Sequence, residues 1–135
     1  MTTPINLAGQ RILVVEDDML IAVLIEQTLQ ELGCVVVGPV GKLEAALRLA
    51  VSEALDAAIL DVNIRGGLVY PVAGQLRTRG VPFALASGYG DWALPEAFRY
   101  QPRLTKPFTC EELEAQVRLL CGVQEGVKPA LTSPA

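Results

Sequence analysis

Several apolar stretches in this sequence end on residues able to handle a metal ion or a phosphate. Glu16 and Asp17, with Asp18 next, follow Ile12-Leu13-Val14-Val15, and Asp61 follows Ala58-Ile59-Leu60. Ser87 sits in Ala86-Ser87-Gly88, and Lys106 in Thr105-Lys106-Pro107-Phe108. Carboxylates at two strand ends of one sheet can converge, where they repel one another and raise at least one pKa unless a cation joins them. A hard cation with oxygen ligands suits such a group, so magnesium fits better than zinc. A hydroxyl can hydrogen-bond a phosphoryl oxygen and an ammonium can neutralise its charge. Together these are the parts of phosphoryl transfer, in which positioning and charge stabilisation do most of the catalysis.

Each residue taken singly has a plainer reading. Asp17 or Asp18 could simply cap the following helix. Asp61 could be a turn residue at a strand end, Ser87-Gly88 a turn, and Lys106 a solvated lysine. What favours chemistry is their joint placement at the ends of successive strands.

The elements that would place them there follow from the apolar pattern. Short continuous runs alternate five times with longer helical stretches, as in a parallel sheet covered by helices. Residues 11–16, 34–39, 57–61, 83–86 and, more weakly, 103–105 read as strands. Residues 20–32 read as a helix with an apolar stripe at Leu20, Val23, Leu24 and Leu32, closed by Gly33. Residues 43–54 give a second helix, and residues 69–79 a third, with Val72, Ala73 and Leu76 inward. The crossover at 88–99 contains Pro95 and two glycines and has room for a short or loose fourth helix starting near the proline. The last helix opens with Thr109 as N-cap and Glu112 three residues on, then shows Leu113, Val117 and Leu120 on one face. Open parallel sheets hold their ligands at the carboxyl ends of the strands, where the residues above fall.

Composition narrows the function. At 135 residues, 51% hydrophobic and 19% charged, the chain reads as one globular domain, with residues 1–10 an N-terminal extension, 11–122 the domain and 123–135 a flexible tail. A net charge of −4 and no basic cluster speak against nucleic acid. Without a signal peptide or a long apolar run, a soluble cytoplasmic protein with no membrane partner is expected. Cys34, Cys110 and Cys121 are an odd number without C-x-x-C spacing, read as plain buried or half-buried thiols. The chain has no histidine, so histidine catalysis and ligation are excluded and any phosphohistidine must come from another protein.

The motifs Val14-Val15-Glu16-Asp17-Asp18, Leu60-Asp61-Val62-Asn63, Ala86-Ser87-Gly88-Tyr89 and Lys106-Pro107-Phe108, in this order and spacing, resemble response-regulator receiver domains. The resemblance runs from about Arg11 to Cys121. It implies an α/β, flavodoxin-like, doubly wound five-stranded parallel sheet of order 2-1-3-4-5 with helices on both faces. It also implies a phosphoacceptor role for Asp61, direct magnesium ligation by Asp17, and action of Glu16 on the metal through water. Asn63 would offer its backbone carbonyl. Ser87 would be the hydroxyl that moves toward the phosphoryl group and Lys106 its ionic partner, next to a cis Lys106-Pro107 bond.

The sequence departs from the common receiver pattern at two places. Four residues after the acceptor, where receivers often carry proline, stands Arg65, within Ile64-Arg65-Gly66-Gly67. Three residues before Lys106, where many carry an aromatic switch residue, stands Arg103. Pro82-Phe83, Leu85-Ala86-Ser87-Gly88-Tyr89-Gly90 and the weak fourth helix are similar to the subgroup nicknamed for its Phe-Ala-Thr-Gly-x-Tyr motif, with Leu85 and Ser87 replacing Phe and Thr. Tyr89, two residues after Ser87, is either surface packing or a screen keeping water from the acyl phosphate. Trp92 and Phe98 are candidates for core or partner contacts.

The activity implied is in-line attack of Asp61 on the phosphohistidine of a sensor histidine kinase or phosphotransfer protein, with Mg2+ bridging the reacting oxygens. Such a protein is no enzyme beyond its own phosphorylation and slow self-dephosphorylation. With no effector encoded it would signal by protein contact, as a relay or as a phosphate sink, as a monomer or weak dimer. Three other readings remain open. A magnesium-dependent aspartyl phosphatase would want an aspartate where Asn63 stands. A pseudo-receiver would bind without phosphorylation, and a flavodoxin-like nucleotide binder would want a glycine-rich loop after the first strand.

Overall fold

The computed structural model describes residues 7–88 and 94–125, with side chains as far as Gly122. In chain order the elements are β1 (Arg11–Val15), α1 (Met19–Glu31), β2 (Val35–Val40), α2 (Leu43–Ser52), β3 (Ala57–Asp61), β4 (Asn63–Ile64), β5 (Gly67–Leu68), α3 (Tyr70–Thr78), β6 (Phe83–Ser87), a single 3-10 turn (Glu96–Phe98), β7 (Arg103–Thr105) and α4 (Cys110–Glu125). The five main strands form one sheet in the order β2-β1-β3-β6-β7, with every neighbouring pair parallel. With the two-residue strands β4 and β5 set aside, this is the expected order 2-1-3-4-5 of a flavodoxin-like fold.

The period-two alternation of strand side chains divides the core into two layers. Ile12, Val14, Ala57, Ile59, Ala84 and Ala86 point to one face, where Ile25 and Leu29 of α1 and Leu113, Val117 and Leu120 of α4 cover them. Leu13, Val15, Ala58, Leu60, Phe83 and Leu85 point to the other, under Ala46 and Ala50 of α2 and Val72, Ala73 and Leu76 of α3. Strands β3 and β6 are buried along their whole length, which explains their unbroken apolar runs. Each fully buried Leu or Ile contributes roughly 1.5–3 kcal/mol. Leu7, ahead of β1, also enters the core.

Several elements depart from expectation. In α1 the stripe Leu20, Val23 and Leu24 faces outward, Leu20 being 84% exposed, while Ala22, Ile25, Thr28 and Leu29 are buried. That helix is apolar on most sides, so spacing alone left its rotation undetermined. Strand β2 is shifted one residue along the chain from the expected 34–39 and carries an irregularity opposite Leu13 to Val15, where Gly38 adopts φ 101° before a cis Gly38–Pro39 bond. As an edge strand it tolerates the missing proline N–H. Cys110 is exposed, unlike buried Cys34 and Cys121, because it stands in the first turn of α4 away from the sheet; all three are free thiols. Among the described residues of the fourth crossover the helical element is the 3-10 turn after Pro95, and α4 continues to Glu125, past its expected end at Gly122.

Two predicted caps are present. Gly33, with φ 88°, follows the end of α1. Before α4, the Thr109 N–H donates to Glu112 Oε1 at 2.8 Å and the Glu112 N–H to Thr109 Oγ1 at 3.0 Å, a reciprocal capping box. Among the described residues no helix is long and apolar enough to cross a membrane.

Candidate functional site

The sheet's register brings the chemical residues to one edge. Val15 pairs with Leu60, so the next residues along β1 and β3, Glu16 and Asp61, emerge side by side. Asp61 pairs with Ala86, which puts Ser87 one step further along β6, and Ser87 pairs with Thr105, which puts Lys106 one step beyond β7. Backbone bonds continue the ladder past the strands and hold these residues in place. The Glu16 N–H donates to Val40 O at 2.8 Å, the Val62 N–H to Ala86 O at 3.0 Å, and the Lys106 N–H to Ser87 O at 2.8 Å.

Carboxylate oxygens of Glu16, Asp17 and Asp61 all lie within 4.8 Å of one another. Into this cluster reaches Lys106, its Nζ 2.9 Å from Glu16 Oε1 and 3.2 Å from Asp61 Oδ2. Asp61 is buried but not closed off, since 8% of its side-chain surface stays accessible. Asp18 turns away and caps α1, its Oδ1 accepting from the N–H groups of Leu20 and Ile21 at 3.0 and 3.2 Å. This decides between the two possible caps and leaves Asp17, partly exposed, in the acidic group. Glu16 is steadied on its other oxygen, Oε2, which accepts from the Asp18 N–H at 3.0 Å.

Burial and the neighbouring Glu16 carboxylate push the Asp61 carboxyl up from its usual 3.8 to about 7, against the opposing pull of Lys106. For Lys106, burial alone would lower the ammonium, but contact with Glu16 and Asp61 outweighs it and leaves the group raised. The ammonium therefore stays charged throughout the neutral range.

The donor set fits a hard divalent cation. All three side chains are carboxylates, and one ammonium is too little charge to balance them when ionised. Glu16 Oε1 is buried and makes no hydrogen bond, although it stands in an ion pair with Lys106. A buried carboxylate oxygen left in that condition is costly, and a cation or its water would relieve it. Carboxylate oxygens this close together would suit magnesium, which takes oxygen ligands from one or two carboxylates and keeps several waters.

The remaining predicted residues are placed less completely. Asn63 is exposed at the start of β4, its N–H 3.4 Å from Asp61 Oδ1. Ser87 is buried, with Oγ 3.4 Å from Gly88 O. Arg103 begins β7, paired with Leu85 and exposed, so an exposed arginine stands at the position where many receivers carry an aromatic. Tyr89 and Trp92 lie outside the described residues. Phe98 belongs to the core, its ring stacked on Tyr70 at 5.4 Å between centroids.

One part of the site lacked a sequence signal. Residues 63–68 form a small antiparallel hairpin, in which Gly66 and Gly67 take φ 98° and 140°. It is bridged to Lys42 on the loop between β2 and α2. The Gly66-Gly67 pair hinted at a turn, but its pairing with a loop more than twenty residues upstream could not be read from spacing. Beside it opens a cleft of about 440 Å3, lined by Glu16, Asp17, Met19, Val40, Lys42 and Arg65 among others.

A parallel sheet of this order, with acidic residues and a lysine at its carboxyl edge, is the architecture of CheY-like proteins. Comparison with solved structures agrees. SdrG from Sphingomonas melonis is 42% identical over 86% of this chain and 99% of its own, with a TM-score of 0.72. A response regulator receiver protein from Sinorhizobium medicae is 25% identical over 87% of this chain and 98% of its own (TM-score 0.74). The receiver domain of the sensor histidine kinase PA1611 from Pseudomonas aeruginosa, whose structure has a magnesium ion coordinated in the active-site cleft, is 26% identical over 84% of this chain and 98% of its own (TM-score 0.68). No protein-family model matches the sequence, and no curated protein does. The chain belongs to the family of response-regulator receiver domains.

Proposed function

We propose that this receiver accepts a phosphoryl group on Asp61 in a magnesium-dependent reaction and signals through the resulting change of shape. The observation that carries the reading is the convergence of Glu16, Asp17, Asp61 and Lys106 on one point at the sheet's carboxyl edge. The donor is a phosphohistidine of a sensor histidine kinase or phosphotransfer protein, because the chain has no histidine of its own. That a relative binds magnesium in its active-site cleft supports the choice of ion, and a BeF3-activated form of SdrG supports a two-state response.

In the reaction an Asp61 carboxylate oxygen attacks phosphorus, the phosphorus–nitrogen bond breaks, and the leaving imidazole takes up a proton. Glu16, Asp17, one oxygen of Asp61 and the Asn63 carbonyl would hold the metal, which supplies charge neutralisation for the phosphoryl oxygens. Lys106, charged at neutral pH, exchanges its contact with the Asp61 oxygen for one with the phosphoryl group. Ser87, next along β6, donates its hydroxyl there. The dianion thereby draws β6 and β7 toward the site, biasing the crossover between them. The downstream step is protein contact or onward transfer of the phosphate. The chain acts on no other substrate.

Leu85-Ala86-Ser87-Gly88 at the end of β6, Pro82 before it and the 3-10 turn at Glu96–Phe98 also support membership of the Phe-Ala-Thr-Gly-x-Tyr subgroup. The test of function is incubation with a small phosphodonor and magnesium, followed by intact-mass analysis. The wild type is expected to gain one phosphoryl group, sensitive to chelation, and Asp61→Asn none. Magnesium-dependent labelling of Asp61→Asn at the wild-type rate would overturn the assignment.

A further inference from the structure

We infer that Gly41 is a positioning residue whose close packing on the Asp17 backbone sets the distance between Asp17 and Asp61 for a divalent cation. The inference rests on the proposed magnesium-dependent function. It concerns a residue assigned no contact with the metal or the phosphoryl group.

Three segments meet beside the acidic cluster: the loop after β1 carrying Glu16 and Asp17, the loop from Val40 to Leu43, and the β4-β5 hairpin that follows Asp61. They are stitched by backbone hydrogen bonds. The Glu16 N–H donates to Val40 O at 2.8 Å, the Arg65 N–H to Gly41 O at 3.0 Å, and the Leu43 N–H to Arg65 O at 2.8 Å. The middle loop is thus tied on one side to the segment bearing Glu16 and on the other to the segment leaving Asp61. The Val69 N–H, which donates to Val62 O at 2.9 Å, closes the base of the hairpin.

Gly41 makes the stitch sterically possible. A Cβ there would lie 2.9 Å from Asp17 Cα, 3.1 Å from Asp17 Cβ and 3.3 Å from Glu16 O. Two of these three atoms are backbone, so no side-chain rotation relieves the clash. Any larger residue must push the loop and the Asp17 backbone apart. The two backbone bonds between this loop and Arg65 then carry any such shift toward the segment leaving Asp61. Carboxylates that share a small cation must be held to within a few tenths of an ångström of their working separation, and changing the groups that orient them typically costs about 10–100-fold in metal affinity.

The experiment is calorimetric titration of the full chain with Mg2+, without phosphodonor, alongside thermal unfolding. Gly41→Ala is expected to weaken Mg2+ binding by about tenfold or more while the protein stays folded. Gly74→Ala, where an added Cβ meets nothing within 4 Å, is the matched glycine control and is expected to bind as the wild type. If Gly41→Ala is unfolded in plain buffer, it and the wild type are both titrated in trimethylamine N-oxide, which favours the compact state, and the same loss of affinity is expected there. Equal affinity of folded Gly41→Ala and wild type in either medium overturns the positioning role and leaves the proposed function standing. A wild type that binds no Mg2+ overturns both.

Discussion

Lys106 and Asp61 meet across an intervening strand: Nζ at the end of β7 lies 3.2 Å from Oδ2 at the end of β3, with β6 between them. The same ammonium stands 2.9 Å from Glu16 at the end of β1, so one side chain ties the ends of three strands together. In the absence of metal this contact is the principal compensation for a cluster of buried acids.

Asp61 makes the stability of the metal-free protein fall as pH rises. Its carboxyl holds a proton up to about 7 when folded but only to 3.8 when unfolded, so between these values the unfolded chain carries fewer protons and folding loses free energy with increasing pH. The contribution is fully present below pH 4 and is lost above 7, amounting to at most about 4 kcal/mol. Urea unfolding in chelator from pH 4.5 to 8 is expected to show Asp61→Asn gaining on the wild type as pH increases. A constant difference across that range would refute the assignment of the shift to Asp61.

Divalent metal should restore what ionisation removes. At pH 7.5, Mg2+ at a hundred times its dissociation constant is expected to add about 2.7 kcal/mol, read as a rise in melting temperature. Asp17→Asn should lose most of that rise, because Asp17 is the carboxylate of the cluster that makes no ion pair among the described residues. Equal magnesium protection of the variant would remove Asp17 from the metal site.

Removing the ammonium exposes the cost of the acids. Lys106→Met leaves Glu16 and Asp61 buried without their cation, and breaking such a pair costs about 3–5 kcal/mol. Asp61 would be pushed further up, since the lysine is what lowers it. The loss is expected to be larger at pH 8 than at pH 5, where Asp61 is protonated. Chemical denaturation at both values measures this, and a pH-independent loss would count against the ion pair as its cause.

Arg77 of α3 clamps the crossover between β6 and β7. Its guanidinium sits 4.5 Å from the Phe98 ring centroid and donates to Ala97 O and to Gln101 Oε1, both at 2.7 Å. Arg77→Ala is expected to cost about 1–2 kcal/mol. It should also speed hydrogen exchange at Phe98, Arg99 and Gln101, whose N–H groups close this turn. Unchanged exchange at those amides would show that the core packing of Phe98 holds the turn unaided.

Local patterns carried much of this protein. The buried runs of β3 and β6, the Thr109–Glu112 capping box, the inward face of α3 and the reduction of the fourth helix after Pro95 were all legible, because each depends on residues within a few positions of one another. The sequence also named Glu16, Asp17, Asp61, Ser87 and Lys106 as strand-end residues. What tertiary structure decided was phase and distance. Leu20, Val23 and Leu24 have helical spacing, yet Ala22, Ile25 and Leu29 face the sheet, since a helix apolar on most sides takes its rotation from what it packs against. Asp18 rather than Asp17 caps α1, and Leu7 joins the core from ahead of the first strand. The hairpin stitched to Gly41, the approach of Lys106 to two acids and the raised Asp61 pKa join residues many positions apart. Spacing along a chain encodes which face a residue prefers, whereas proximity between distant residues arises only once strand register and layer packing bring them together.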